Sequence, residues 1–263
     1  MKRIFTALAV SLFFQLNVPV RASVPENTAA VTAAGTLMPA ADINELYKNG
    51  DYQRALDEYS KITRNRPYDA AAWYNEGNAL FRLKRTGEAV YAYSMAFKID
   101  PRNQDIRFNL EYVMKHTGQQ LVPDGMPRGV FYLYYFFSDN ELKFAAVVSF
   151  WITCLIFAFF RLIKREDFRK WPRRIMYCSA TLLLLSCLWG ALRLNGQFHR
   201  AGVVVRAEGA SLMSGPGENF KDFASAPEGR IVKLLSEEDG YIEVGLEKEG
   251  LRGWAVKGDI KSL

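Results

Sequence analysis

The sequence has few of the residues that usually carry enzyme chemistry. It contains three cysteines and two histidines in 263 residues. The cysteines are Cys154, Cys178 and Cys187, and all three lie inside long apolar runs. Outside those runs the chain has no thiol for a nucleophile, a disulfide framework or a thiolate metal site. His116 and His199 stand alone, without the clustered ligands that a metal requires. We expect no catalytic residue, no metal and no cofactor.

An excess of one charge sign is also missing from most of the chain. The net charge of +6 comes from residues 1–22 and 143–198, whereas residues 23–142 and 199–263 each have a net charge of −2. Neither of these two parts has the basic surface that a nucleic acid would need. The glycines form no phosphate-binding loop. We therefore expect no nucleic-acid partner.

The start of the chain is typical of a secretory signal. In residues 1–22, Lys2 and Arg3 precede an apolar run, and cleavage after Ala22 fits the pattern. An uncleaved anchor helix fits the same residues, and both interpretations send the following chain across the membrane. Residues 23–41 are rich in alanine and threonine and lack periodicity, which predicts a linker.

Two apolar runs, Phe144–Phe160 and Ile175–Leu192, contain no charged residue. A bilayer core needs about 20 apolar residues in a helix. We therefore predict membrane-spanning helices over residues 143–163 and 175–194. A buried helical hairpin in a soluble protein is the alternative, but such helices usually keep a polar face.

The loop between the two runs, residues 164–174, is strongly basic. Short loops rich in lysine and arginine stay in the cytoplasm. The hairpin would then have its loop inside and both of its outer ends outside. Because no charged residue lies within the cores of the two runs, an ion or proton path through them is not expected. Their hydroxyl side chains are expected to pack the helices or to bond to the backbone; these are Ser149, Thr153, Ser179, Thr181 and Ser186.

Residues 42–118 contain an internal repeat. An alanine, a tyrosine and a proline each recur 34 positions later: Ala55 and Ala89, Tyr59 and Tyr93, Pro67 and Pro101. A 34-residue period of paired helices is typical of tetratricopeptide repeats. The second copy also contains Trp73 and Gly77 at the expected spacing. It departs from the usual pattern at Glu76 for leucine, Leu80 for tyrosine and Tyr93 for phenylalanine. Residues 102–117 predict a further helix that would close the stack.

The following segment, residues 119–142, changes in character. Proline and glycine break it, and residues 130–137 are almost entirely aromatic. Tyrosine and tryptophan favour the membrane interface, so we predict an interfacial linker at the outer headgroup level. A strand or a buried turn is the alternative.

Residues 199–263 consist of short β-type runs separated by turn residues, which predicts a small β-barrel. The segment resembles bacterial SH3-like domains. The resemblance is carried by Val203–Val205, the turn Ser214–Pro216, Glu228-Gly229, Gly253-Trp254 and Asp259-Ile260. The predicted fold is therefore multidomain: an α-helical tetratricopeptide stack, a two-helix transmembrane hairpin and a small all-β SH3-like barrel.

The order of these parts resembles the TPR/SH3 membrane proteins of the bacterial aerotolerance (Bat) operons, of the BatE-like type. Residues Trp73–Asp100 and Asp105–Glu111 resemble the repeat of that family and its next helix. The resemblance implies a multi-pass bacterial inner-membrane protein with both soluble modules in the periplasm. It also implies genes nearby for von Willebrand A-type membrane proteins and an AAA-type ATPase, and a role in envelope or oxidative stress tolerance.

In tetratricopeptide stacks the first helix of each pair lines a concave groove. The candidate groove residues are Tyr74, Asn75, Asn78, Phe81, Arg82 and Asn109. Asparagine can donate to and accept from a peptide backbone, and Arg82 could hold a carboxylate. No lysine lies between Ala70 and Leu83, which disfavours a carboxylate clamp. In the SH3-like segment, Tyr241 and Trp254 are candidates for a peptide-binding surface, with a core position for Trp254 as the alternative.

These features predict a non-enzymatic scaffold at the membrane. Its expected partners are membrane or periplasmic proteins, including von Willebrand A-type membrane proteins, and the membrane lipid. A cell-wall protein that binds peptidoglycan through the SH3-like domain is the second hypothesis. A channel component is the third, and the uncharged spans disfavour it.

Overall fold

The computed structural model describes residues 38–162, 170–193, 200–246 and 249–263, with the side chains of residues 160–173 excepted. The predicted signal peptide, nearly all of the linker and most of the basic loop lie outside these ranges. Residues 40–263 form one compact unit. The predicted multidomain fold is confirmed: a stack of helices, two long apolar helices and a seven-stranded antiparallel sheet.

Five helices form the helical stack. They are α1 Ala40–Lys48, α2 Tyr52–Asn65, α3 Ala70–Arg82, α4 Thr86–Ile99 and α5 Gln104–His116. Short polar residues cap three of them: Asp51 accepts from the backbone of α2, Asp69 from that of α3, and Asn103 from that of α5. Gly50 and Gly118 adopt positive φ angles after α1 and α5, where the chain leaves the helix.

Small residues let the helices of the stack approach closely. A Cβ on Gly77 would lie 2.8 Å from the Tyr93 ring, so α3 and α4 could not keep this spacing with a larger residue. Ala79 and Ala89 are fully buried in the same core, together with Tyr93 and Phe97. The alanine–tyrosine pattern that revealed the repeat is therefore the pattern of this core.

The aromatic segment after the stack is helical. Helix α6, Arg128–Tyr134, turns Phe131 into the core of the stack, where its ring lies parallel to that of Phe97 at 6.4 Å. Tyr135 packs against both rings. Val130 and Leu133 remain exposed. A run of consecutive aromatics has no period that would separate these two faces, so the sequence did not indicate that Phe131 and Tyr135 are core residues.

Two long helices, α7 Asp139–Leu162 and α8 Lys170–Arg193, pack against each other as an apolar hairpin. The hydroxyl groups of Thr153 and Ser179 are joined by a 2.9 Å hydrogen bond across the hairpin. Ser149 also donates to a carbonyl group of its own helix, as predicted, and so does whichever of Thr153 and Ser179 accepts the hydrogen bond between them. Both helices contain a stretch long and apolar enough to cross a membrane.

The β-sheet domain contains seven strands. They are β1 Ala201–Val204, β2 Ala210–Met213, β3 Asp222–Ala226, β4 Ile231–Glu238, β5 Tyr241–Leu246, β6 Leu251–Val256 and β7 Ile260–Ser262. Their order in the sheet is β3-β2-β6-β5-β4-β1-β7, and each pair is antiparallel. Asp239 and Gly240, both at positive φ, form the two-residue turn between β4 and β5.

The β-sheet domain docks on α4 through residues that are far apart in sequence. The Glu228 carboxylate accepts a 2.6 Å hydrogen bond from the Gly87 backbone, in the first turn of α4. Arg85, the N-cap residue of this helix, makes no capping bond with its own side chain within the described chain. Gln119 bonds to the backbone of Gly229 and Ile231, and Lys261 pairs with Glu88 at 2.9 Å. The sheet therefore supplies the cap that α4 itself lacks.

Candidate functional site

The first helices of the repeat, α1, α3 and α5, contact one another through side chains from the predicted groove. Tyr74 and Asn78 of α3 meet Asn109 of α5, Phe81 of α3 meets Tyr112 of α5, and Arg82 of α3 meets α1. The structure thus brings most of the predicted groove residues together along one surface.

The centre of this surface is an amide cluster, formed by Tyr74, Asn78, Tyr93 and Asn109. The Asn109 Nδ2 atom donates to the Tyr74 hydroxyl at 3.1 Å and to Asn78 Oδ1 at 3.0 Å. The Tyr93 hydroxyl donates to the same Asn78 Oδ1 atom at 2.7 Å. Burial, together with the nearby Tyr74, raises the pKa of Tyr93, so its hydroxyl stays protonated and donates.

The amide cluster leaves two polar groups for a ligand. Asn78 uses its Oδ1 atom and Asn109 its Nδ2 atom, while Asn78 Nδ2 and Asn109 Oδ1 have no hydrogen-bond partner among the described residues. One amide therefore offers a donor and the other an acceptor. A peptide unit, which presents one carbonyl and one N–H group, matches this pair.

Asn75 lies beside the cluster but is not part of it. Its side chain is half-buried and makes no hydrogen bond within the described ranges. Asn75 can therefore contact a ligand and takes no part in the hydrogen bonds of the amide cluster. Asn78 can contact a ligand and also makes hydrogen bonds within the cluster. The sequence placed the two asparagines in one class, and the structure separates them.

Arg82 lies at one end of the surface and is exposed. Its Nε atom donates to the Tyr47 hydroxyl at 3.2 Å, and its guanidinium lies 5.8 Å from the Tyr52 ring centre. The hydrogen bond with Tyr47 raises the pKa of Arg82. No described carboxylate pairs with it. The positive charge of Arg82 is held in place by aromatic residues and remains open to an acidic group.

Sequence reasoning missed an aromatic row on α5. Phe108, Tyr112 and His116 follow one another at four-residue spacing, and Phe81 packs edge-on against Tyr112 at 5.8 Å. Phe108 is 69% exposed and Tyr112 48% exposed. The sequence contains the signal for this row, because a four-residue spacing places residues on one face of a helix, and the opposite face carries the core residues. This row extends the candidate surface beyond Asn109.

Glu76, the unusual residue of the repeat, faces away from this surface. The hydroxyl groups of Ser60 and Thr63 on α2 donate to its carboxylate at 3.1 and 2.8 Å. Burial raises the pKa of Glu76, and the two hydroxyl bonds oppose that rise. The substitution of leucine by Glu76 is thus matched by polar partners on the neighbouring helix.

The second candidate surface lies on the β-sheet domain. Trp254 stands opposite Glu243, and Tyr241 opposite Val256, so the two aromatics share one face of the sheet. Both are half-buried. The alternating residues of these strands, among them Ile242 and Ala255, form the core. Trp254 therefore lies on the outer face and not in the core.

The structure offers no metal centre among the residues that it describes. No three histidine, cysteine, aspartate or glutamate side chains in those ranges are grouped to hold an ion. Cys178 and Cys187 point outwards from the apolar hairpin.

Comparison with known proteins supports the tetratricopeptide prediction for the helical stack. Residues 42–103 match the family model of the tetratricopeptide repeat. A stretch of 58 residues is 31% identical to the heat shock protein sti1 homolog of Schizosaccharomyces pombe, and covers 22% of this chain. The chain spans only 10% of the length of that relative. Residues 42–103 are thus similar to tetratricopeptide repeats, a type of helical repeat that generally mediates protein–protein interaction.

Proposed function

We propose that this protein is a membrane-anchored scaffold whose helical stack binds a peptide segment of a partner protein. The observation that carries the proposal is the pair of unsatisfied amide groups, Asn78 Nδ2 and Asn109 Oδ1, between the charge of Arg82 and the exposed aromatic row of α5. A peptide with an acidic and an aromatic side chain fits this arrangement of groups.

The apolar hairpin is the proposed anchor. Only 6% of the apolar window of α7 and 11% of that of α8 are buried within the protein. A core helix of a soluble protein would be mostly buried. The apolar surfaces of α7 and α8 are exposed instead, and water is a poor solvent for them. The basic loop of residues 164–174 favours an inside position for that end of the hairpin. Both soluble modules then lie outside, in the periplasm of a bacterial cell.

The partners are proposed to be membrane or periplasmic proteins. The resemblance to the BatE-like proteins favours von Willebrand A-type membrane proteins and a role in envelope or oxidative stress tolerance. A second candidate function is peptidoglycan binding by the SH3-like domain. The shared outer face of Tyr241 and Trp254 favours it, because paired aromatic side chains commonly form binding surfaces.

Co-purification tests the groove. The tagged full chain is isolated from detergent-solubilised membranes, and the proteins bound to wild type, Arg82→Gln and Arg64→Gln are compared. Arg64 is exposed on α2, so its substitution makes the same charge change outside the groove. We expect Arg82→Gln to lose a partner that Arg64→Gln retains. Equal recovery with both variants, and with Asn75→Ala, contradicts the groove assignment.

A further inference from the structure

A cavity of about 570 Å³ lies where three parts of the protein meet. Its walls come from the C-terminal end of α4, from the ends of α7 and α8 nearest the helical stack, and from the two ends of the β-sheet domain at Arg200 and Leu263. This volume is within the range of about 300–1,000 Å³ that small-ligand pockets occupy. Neither candidate surface described above includes it.

Four basic side chains belong to the lining of the cavity. Lys98, Lys143, Arg193 and Arg200 line it together with one acidic side chain, Asp139. Asp139 is already paired with Arg193, at 2.5 Å between Oδ1 and Nη1. The other three basic side chains make no ion pair with a described residue. The cavity therefore holds positive charge in excess of its own acidic group.

Lys98, which lines the cavity, is half-buried and lies near charges of both signs. Burial lowers the pKa of Lys98, and the like charge of Lys143 lowers it further, while Asp139 opposes both. An anionic group placed between the two lysines would offset both the burial and their repulsion.

The part of the lining that comes from the hairpin includes several small side chains. Ala146 of α7 and Ser186 and Gly190 of α8 line it with small side chains. A Cβ on Gly190 would meet no atom within 4 Å. The small residues leave a notch between the helices that a hydrocarbon chain can occupy.

We propose that this cavity binds an anionic phospholipid, with its phosphate between Lys98, Lys143 and Arg200 and an acyl chain over Ala146 and Gly190. The proposal rests on the membrane placement proposed above. In that placement the cavity lies at the outer end of the hairpin, where lipid headgroups are found and where basic side chains recognise them.

The test measures lipid binding by the purified full chain in detergent with native mass spectrometry. The probes are phosphatidylglycerol and phosphatidylcholine with the same acyl chains, and inorganic phosphate alone. We expect phosphatidylglycerol to bind at least about tenfold more tightly than phosphatidylcholine, because each basic side chain near an anionic headgroup contributes to the affinity. Inorganic phosphate alone should bind more weakly than the lipid.

Two variants and a matched control locate the site. Lys98→Gln/Lys143→Gln should lose at least about tenfold in affinity for phosphatidylglycerol. Lys48→Gln/Lys115→Gln removes two exposed lysines of the helical stack and should retain wild-type affinity. Gly190→Leu, which fills the notch and keeps every charge, should weaken both lipids and leave phosphate binding unchanged.

Three results would overturn the proposal: equal affinity for the two lipids, equal losses in the lysine variant and its control, or phosphate binding as tight as lipid binding. The last would mean a free-anion site. The membrane placement is tested separately by an alkaline wash of membranes. A chain that the wash releases removes the proposed anchor, whereas a retained chain without lipid preference removes only the lipid site.

Discussion

The hydroxyl group of Tyr93 donates a hydrogen bond to Oδ1 of Asn78 at 2.7 Å, across the α4–α3 pair. One repeat earlier, 34 positions back, the Tyr59 hydroxyl donates to Asn44 Oδ1 at 2.7 Å across the α2–α1 pair. The tyrosine that marks the repeat in the sequence thus binds an asparagine on the first helix in both copies. In the second copy that asparagine also belongs to the amide cluster, so the repeat core and the candidate groove share Asn78.

Tyr93→Phe tests this shared role. The variant removes a partly buried hydrogen bond and leaves Asn78 Oδ1 with Asn109 as its donor. We expect the helical stack to lose about 1 kcal/mol of stability. The measurement is hydrogen exchange of the α3 and α4 amides in the full chain. Tyr59→Phe is the matched control and should cost less, since its partner Asn44 is exposed. A larger loss in Tyr59→Phe would contradict this explanation.

The substitution Glu76→Gln should change how the stability of the folded protein depends on pH. Because burial raises the pKa of Glu76 in the folded protein, the folded state binds this proton more tightly than the unfolded state. Its stabilising contribution is complete below the ordinary value of 4.5 and is lost as pH rises through the raised pKa. Wild type should therefore lose stability relative to Glu76→Gln between pH 4 and pH 8.

The measurement compares the exchange of the α2 and α3 amides of both proteins at these two pH values. Glu45→Gln, at an exposed position on α1, controls for the loss of one negative charge. A stability difference between wild type and Glu76→Gln that does not change with pH, or that changes equally in Glu45→Gln, would show that burial does not perturb this carboxyl group.

Gly87→Ala tests the docking of the β-sheet domain on α4. A Cβ at this position would lie 2.5 Å from the Val204 carbonyl oxygen, so the two surfaces must separate. A zero-length carbodiimide cross-link between Lys261 and Glu88, which are 2.9 Å apart, reports the contact. We expect its yield to fall several-fold. Gly129→Ala, where a Cβ meets no neighbour within 4 Å, should cross-link like wild type. An equal fall in yield for both variants would contradict the docking of the β-sheet domain on α4.

The direction of the hairpin can be tested with a reporter that fluoresces only in the cytoplasm. Inserted at position 168, in the basic loop, it should be bright; fused after Leu263, it should be dark. The reason is that short basic loops remain inside. A bright fusion at Leu263 would place the β-sheet domain in the cytoplasm and reverse the proposed topology.

The sequence was sufficient to predict those parts of the fold that have a repeat or a long apolar run. The 34-residue spacing of Tyr59 and Tyr93 predicted the helical stack, and the runs around Thr153 and Ser179 predicted the apolar hairpin. The same spacing also relates Asn44 to Asn78, and sequence reasoning overlooked that pair. The alternation in β5 and β6 contains the signal that places Trp254 outside the core.

Other features could not be predicted because they depend on distant residues. Glu228 caps α4 through Gly87, which is 141 positions away, and neither residue carries a local sign of the other. Phe131 and Tyr135 enter the stack because both rings pack against Phe97, whereas Phe136 and Phe137 remain exposed. The basic cavity likewise arises only when α4, the hairpin and Arg200 meet.

The central claim is that a partner peptide lies along the groove of the helical stack. Site-specific photo-cross-linking in intact cells tests it most directly, with the photoreactive residue at Asn75 in the groove or at Arg64 on α2. We predict that position 75 captures a discrete partner protein, that position 64 does not, and that adding Arg82→Gln to the first variant lowers the yield. Equal capture from both positions, or capture unaffected by Arg82→Gln, would contradict the account.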